Sequence, residues 1–449
     1  MNTDTATLSS HTPEAADFII NAGWIATVDA NDTIIERGSI AVRNDCILGV
    51  CTQAEYQQRF YAEQIIDMPG HLLCPGFVNG HNHAAMSLLR GFADDLPLMT
   101  WLEQHIWPTE SQYVDEEFAE DGVRLAIAEM LKSGTTCFTD MYFFPDITAN
   151  LAHQYGVRAQ VAFPVLELQT AWASGPEEYI DKGLQVIDDF KHSSFANVCF
   201  GPHAPYSVSR PTLEKVATLA NELDANIHIH AHETEHEVSR FVAENKQRPI
   251  ELLNEIGLAS PRLQCAHMVH ASDSDIDLLS ATGTHVIHCV RSNLKLASGM
   301  FRLHDMLAAG VNVGLGTDGA ASNNGLNLLS EMNISAIMAK AVAGKADAIG
   351  ARQALRTATI NGARAIGRDD SIGSLEAGKL ADFFAIDINR IECQPMYEPV
   401  SHLVYSAQAS HITDVWTAGE KRVSNGQLTQ IDSDGLLNKA NHWRAVLSS

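Results

Sequence analysis

The sequence predicts an α/β fold: a (β/α)8 TIM-like barrel beside a small β-sandwich domain built from both chain ends. Three observations carry this expectation. Between residues 72 and 370, short apolar runs alternate with amphipathic helical stretches, and eight strand candidates can be counted. The segments on either side read as short strands with polar turns and no helical period. At 449 residues, the chain has room for one large barrel and an accessory domain.

In chain order, residues 1–15, "MNTDTATLSSHTPEA", lack the basic start and apolar centre of a signal peptide and read as a disordered tail. Residues 16–71 hold "DFIINAGWIATV", "GSIAVRNDCILGV" and "EQIIDMP", the first part of the sandwich. The barrel strands expected within 72–370 are "LLCPGFVNG", "TTCFTDMYF", "VRAQVAFPV", "ANVCFGPH", "ANIHIHAH", "RLQCAHMVH", "THVIHCV" and "VNVGLGTDG". Helical stretches such as "DEEFAEDGVRLAIAEMLKSG" and "RPTLEKVATLANELD" separate them. An open doubly wound sheet is the rival, but its Gly-x-Gly-x-x-Gly turn after the first strand is missing. Strands return over 371–449 in "GSLEAGKLADFFAID", "HLVYSA" and "ITDVWTAGEKRVSNG", the second part of the sandwich.

Thirty Lys and Arg against 55 Asp and Glu give a formal charge of −25, which argues against nucleic acid and anionic membranes as partners. No run approaches the roughly 20 apolar residues of a membrane span. The eight cysteines form no C-x-x-C pair and several sit inside apolar runs, as free thiols of a cytoplasmic protein would. A homo-oligomer is compatible with all of this, and nothing fixes its size.

Barrel chemistry sits at the C-terminal strand ends, and there the histidines and acids gather. Strand one ends in His81 and His83, strand four in His203, and strand five in His228, His230, His232 and Glu233. Strand six gives His267 and His270, strand seven His288, and strand eight Asp318. Any one of these is more often a hydrogen-bonded structural residue; the set is hard to explain that way. Residues i and i+2 share a strand face, so His81 and His83 can both point inward at one ion. A strand-five histidine and Asp318 would complete a zinc shell of imidazole nitrogen and carboxylate oxygen. Spacing alone does not choose among His228, His230 and His232.

The segments "PGFVNGHNHAAMSLLRGFADDLPLMTWLEQHIWPTE", "GPHAPYSVS", "HIHAHET", "AHMVH", "SNLKLASG" and "GTDGAASNNGLNLLSEM" resemble the amidohydrolase superfamily. Within it they are most similar to the 5′-methylthioadenosine/S-adenosylhomocysteine deaminase family, over nearly the whole chain. The resemblance implies His81, His83, His230 and Asp318 as metal ligands. It implies Glu233, His267 and Asp318 as proton-transfer groups in hydrolytic loss of the adenine 6-amino group. Glu110, His203 and Trp101 join Glu233 and Asp318 as substrate-binding residues. Strand four, "FANVCFGPH", lacks the lysine that binuclear relatives carboxylate. One ion per subunit is therefore expected: Zn2+, with Fe2+ as the alternative.

Glu110 is the acid that suits a nucleoside, because a carboxylate can accept two neighbouring ribose hydroxyls. Relatives that take S-adenosylhomocysteine carry an arginine on strand three, where this chain has Phe163, and no Lys or Arg occurs from 159 to 181. The expected substrate is thus an adenine nucleoside with an apolar 5′ group, 5′-methylthioadenosine before adenosine or S-adenosylhomocysteine. The alternatives are a guanine- or cytosine-type base deaminase or triazine chlorohydrolase on the same fold and, from another class, a non-catalytic scaffold. Substrate panels and metal content discriminate among them.

Overall fold

The computed structural model describes residues 12–448. Eight strands pair in parallel to form the barrel: β5 (Phe77–Asn82), β6 (Thr135–Asp140), β7 (Arg158–Val165), β8 (Ala196–Pro202), β9 (Ile227–Ala231), β10 (Leu263–His267), β11 (His285–His288) and β12 (Val313–Leu315). β6 and β7 are buried along their whole length, as parallel strands covered by helices must be. Just beyond β12, Asp318 N donates to His81 O at 3.0 Å, and Thr317 and Asn79 exchange two more hydrogen bonds at 2.8 and 2.9 Å. These bonds close the barrel at the rim where His81 stands. Gly316 permits the approach, since a Cβ there would lie 2.8 Å from that of His81.

The second sheet is mixed and joins both chain ends. Its N-terminal strands are β1 (Phe18–Ala26), β2 (Ile34–Arg43), β3 (Cys46–Thr52) and β4 (Gln64–Pro75). Its C-terminal strands are β13 (Phe383–Asp387), β14 (Ile412–Thr417), β15 (Glu420–Ser424) and β16 (Gln427–Leu428). The order is β16-β15-β14-β13-β4-β1-β2-β3, so the expected sandwich is one continuous hydrogen-bonded sheet with β4 and β13 as its seam. Its core gathers Ile20, Ile25, Ile40, Phe383 and Trp416. A buried ion pair, Arg158 Nε to Asp382 Oδ2 at 2.6 Å, ties β7 to the residue before β13.

Several boundaries differ from the sequence reading. Leu72–Pro75 belong to β4 and pair with β13; the barrel strand starts at Phe77. The break is Gly76, where any side chain would collide with Thr136. "HLVYSA" was expected as a strand, but His402–Tyr405 lie in a helix, Pro399–Tyr405, with Pro at its start and Glu398 as its cap. The helix is held to the barrel by Asn333 and Lys340, bonded to Val404 O and the Tyr405 hydroxyl. The last helix, Ser433–Leu447, also packs on the barrel, with Trp443 Nε1 donating to Asp121 at 3.0 Å. Of the tail expected over 1–15, residues 1–11 lie outside the described residues, and Glu14–Ala15 pair with Phe60–Tyr61. All eight cysteines are free. Among the described residues no helix is long and apolar enough to cross a membrane.

Candidate active site

His81 and His83 enter the same space from the end of β5. His83 Nδ1 lies 2.6 Å from Met141 O, and His230 Nδ1 lies 2.8 Å from His203 O. A carbonyl only accepts, so both rings carry their proton on Nδ1 and present a bare Nε2. Those two Nε2 atoms are 3.3 Å apart. Asp318 Oδ1 lies 3.3 Å from His83 Nε2 and 3.4 Å from His81 Nε2. His81 Nε2 is buried and makes no hydrogen bond among the described residues. Lone pairs and a carboxylate oxygen facing one another at this range repel unless a cation lies between them. The donor set therefore fits a divalent ion of the zinc type. Two overlapping groups, His81-His83-Asp318 and His81-His230-His267, bring their ligand atoms within 4.8 Å.

The three β9 histidines separate in the structure. His228 sits one layer below the rim; its Nε2 is 2.8 Å from His81 Nδ1, and its Nδ1 is 3.1 Å from Gln264 Oε1. Gln264 in turn bonds Gln160 at 2.7 Å, so a buried polar chain orients His81 from beneath. His230 faces the centre. Alternation puts His232 on the same face, but β9 ends at Ala231 and His232 has φ +54°. The turn swings its ring outward, where Nε2 accepts from Ile250 N at 3.1 Å. His270 and His288 are not brought to the site either. His270 bonds Ser298 O, and His288 stacks on Phe301 at 4.1 Å.

Asp318 and His267 occupy left-handed backbone, φ +60° and +74°. Such strain costs about 1–3 kcal/mol per residue and clusters where geometry serves function. Asp318 Oδ2 accepts from Ser292 and Ser322 at 2.6 and 2.8 Å, and Oδ1 from Gly319 N at 2.7 Å. Burial opposes its charge, yet the imidazoles of His81, His83 and His267 hold its carboxyl well below the usual carboxylate range. Burial pushes the pKa of His267 down, but the carboxylates of Glu233 and Asp318 overcome it and raise it. Burial, aided by the Asp318 charge, raises the pKa of Glu233.

The sequence reading missed Glu237. Its carboxylate accepts from Glu233 N at 2.7 Å and His232 N at 3.0 Å, and it caps the helix Glu235–Asn245. The signal was present: Thr234 and Glu237 form an S/T-x-x-E capping box. Ser292, Asn293 and Ser322 were missed too, although they lie inside quoted motifs. Nothing in their spacing marks them as props.

Above this floor opens a cavity of about 630 Å³. Trp101, Leu98 and Leu102 line one side, from the helical segment that leads into Trp107–Tyr113. Glu110 projects from that last helix, and Tyr142 OH donates to its Oε1 at 2.6 Å. Burial pushes the Glu110 carboxyl up to about 7. His203 lines the cavity with its Nδ1 2.7 Å from Ser207 Oγ, and burial lowers its pKa to about 4. Phe163 does not face this space. It packs outward against Gly183 and, at 4.9 Å, against Phe200, because Pro164 and Leu166 hold the inward positions. The expected lack of a cation on this wall rests instead on Leu166, Leu168, Gln169, Thr170 and Ala171, and neither Lys nor Arg is among the described residues that line the cavity.

A parallel barrel whose C-terminal rim gathers imidazoles, one aspartate and a protonatable glutamate defines a metal-dependent hydrolase of the α/β-barrel class. Residues 72–422 match the amidohydrolase family, and the chain belongs to that family. It is 47% identical over 433 residues to a 5-methylthioadenosine/S-adenosylhomocysteine deaminase of Teredinibacter turnerae, covering 96% of this chain and 98% of the relative. Its likeness to the protein of that name from Saccharophagus degradans is 45% over 442 residues, covering 98% and 99%. A crystal structure of an adenosine deaminase from Xanthomonas campestris with bound zinc superposes with a TM-score of 0.96 at 42% identity, covering 97% of this chain and all of that one. Zinc-complexed atrazine chlorohydrolase from Arthrobacter aurescens shares the fold, with a TM-score of 0.89 at 22% identity.

Proposed function

We propose that this protein hydrolyses the 6-amino group of adenine nucleosides to the 6-oxo product and ammonia, with 5′-methylthioadenosine preferred over adenosine and S-adenosylhomocysteine. One observation carries the reading: the cavity that holds the imidazole–carboxylate floor also holds Glu110, and neither Lys nor Arg is among its described lining residues. The names of the relatives and the zinc of the similar structure support it.

His81, His83, His230 and Asp318 would hold one Zn2+. The ion would supply a water activated at neutral pH. Glu233, whose carboxyl pKa burial shifts upward from its ordinary value, donates a proton to ring N1 as the water oxygen bonds C6. His267 and Asp318 orient that water and take its proton. The proton taken from the water passes to the 6-amino group as the C6–N bond breaks and ammonia leaves, and Glu233 recovers its proton from the C6 hydroxyl, which becomes the 6-oxo group. Glu110, steadied by Tyr142, accepts the ribose hydroxyls, and Trp101 walls the base. His203 contacts the purine. An apolar 5′ group fits the Leu166–Leu168 wall, where the homocysteine carboxylate finds no basic partner.

Purified protein offered adenine nucleosides, guanine, cytosine and a chloro-triazine tests this. Ammonia release from the nucleosides alone, abolished by chelation and restored by zinc, is expected. Chloride release from the triazine, or ammonia from a free base with the nucleosides inert, overturns it.

A further inference from the structure

Beyond Asn293, which His267 Nδ1 meets at 2.8 Å from Oδ1, lies a second and much smaller cavity. It measures about 10 Å³, close to the minimum that holds one water. Its lining is largely apolar, with Leu294, Phe301 and Met338, but it also includes His288, Asn293 and Ser335. Each of these three has a buried polar atom without a hydrogen-bond partner among the described residues: His288 Nδ1, Asn293 Nδ2 and Ser335 Oγ. The residues are 4%, 1% and 2% exposed. Buried polar atoms are rarely left unpaired, and three residues that each carry one and line the same water-sized space point to a common partner.

We propose that this cavity binds a single water, which accepts from Asn293 Nδ2, donates to His288 Nδ1 and bonds Ser335 Oγ. The water makes Asn293, His288 and Ser335 positioning residues for His267. An amide can present either its oxygen or its NH2 to a neighbouring ring. With Nδ2 spent on the water, Oδ1 must face His267, so the ring carries its proton on Nδ1. His267 then keeps Nε2 free to accept the proton of the attacking water. Were the amide turned over, Nδ1 would become the acceptor and a proton would block Nε2. Phe301, stacked on His288 at 4.1 Å, holds that ring in place.

The kinetic consequence rests on the deaminase reading; the water itself does not. A high-resolution crystal structure of the full-length, metal-loaded protein is the first test. One density peak within hydrogen-bond distance of all three atoms is expected, and an empty cavity overturns the proposal. Ser335→Val fills the space and removes the hydroxyl. It is expected to displace the peak and lower kcat about 10-fold, with KM and metal content unchanged. Asn293→Asp, which keeps an oxygen toward His267 but offers the water no N–H, is expected to lower kcat likewise. Wild-type kcat in a Ser335→Val protein that has lost the peak overturns the positioning role. If Ser335→Val does not fold, the wild-type density and Asn293→Asp decide. If no nucleoside is turned over, the deaminase reading fails while the density still decides the water.

Discussion

The floor of the cavity and its outer wall are built differently. On the floor, each ring is pinned through its second nitrogen: His83 to Met141 O, His230 to His203 O, His81 to His228. These partners lie on or next to barrel strands, so closure of the barrel sets the geometry of the site. The wall comes from the segments after β5 and β7, where Trp101, Leu166 and Leu168 contribute shape and Glu110 a buried carboxyl. The difference separates two tasks. A floor held by strand backbone fixes the chemistry, and a wall of loops and short helices selects the molecule it acts on.

Substitutions can break or sharpen that division. The largest effect belongs to the floor: Glu233→Gln is expected to retain metal and KM while kcat drops roughly 10²- to 10⁴-fold. Stopped assays with metal analysis check it, and near-normal turnover would remove Glu233 from its role. On the wall, Glu110→Gln should leave kcat nearly unchanged and raise KM about 10- to 100-fold, the worth of a hydrogen bond to a charged group. A 2′,3′-dideoxy substrate should feel little of that loss.

The same residue gives a pH signature. With its carboxyl pushed up to about 7, Glu110 gains charge between pH 6 and 8, so KM should fall as pH rises through that window, and should not in Glu110→Gln. The sign for stability is opposite. A carboxyl whose pKa is raised on folding binds more protons folded than unfolded, so its contribution declines as pH rises from its ordinary value to about 7. Thermal melts of Glu110→Gln should therefore gain on wild type at pH 8 more than at pH 5. The smallest effect is that of Tyr142→Phe, which unties Glu110 and should raise KM about 2- to 10-fold. An equal fall in kcat would place Tyr142 with the floor.

The same division explains what could be read from the sequence. His81, His83 and Asp318 end apolar strands, and period-two alternation is enough to bring the two histidines together. Alternation did not separate His228, His230 and His232, because the choice depends on a layer of hydrogen bonds below and a left-handed residue above. Phe163 shows the limit more sharply. Its position in the chain matched a wall residue, but the strand places it outward, and the cation-free wall rests on Leu166 and its neighbours. Ser322 acts through hydrogen bonds that no periodicity records, and Glu237 is marked only by its capping box, not by any spacing from the site. "HLVYSA" failed because a capped, Pro-led turn outweighs a short apolar run.

The most direct measurement is kcat/KM for 5′-methylthioadenosine, adenosine and S-adenosylhomocysteine on one preparation whose metal content is known. A floor that deaminates and a cation-free wall that selects give 5′-methylthioadenosine the highest value, S-adenosylhomocysteine a low one, and about one metal ion per chain. S-adenosylhomocysteine as the best of the three would contradict the wall's role, and turnover by fully metal-free protein would contradict the floor's.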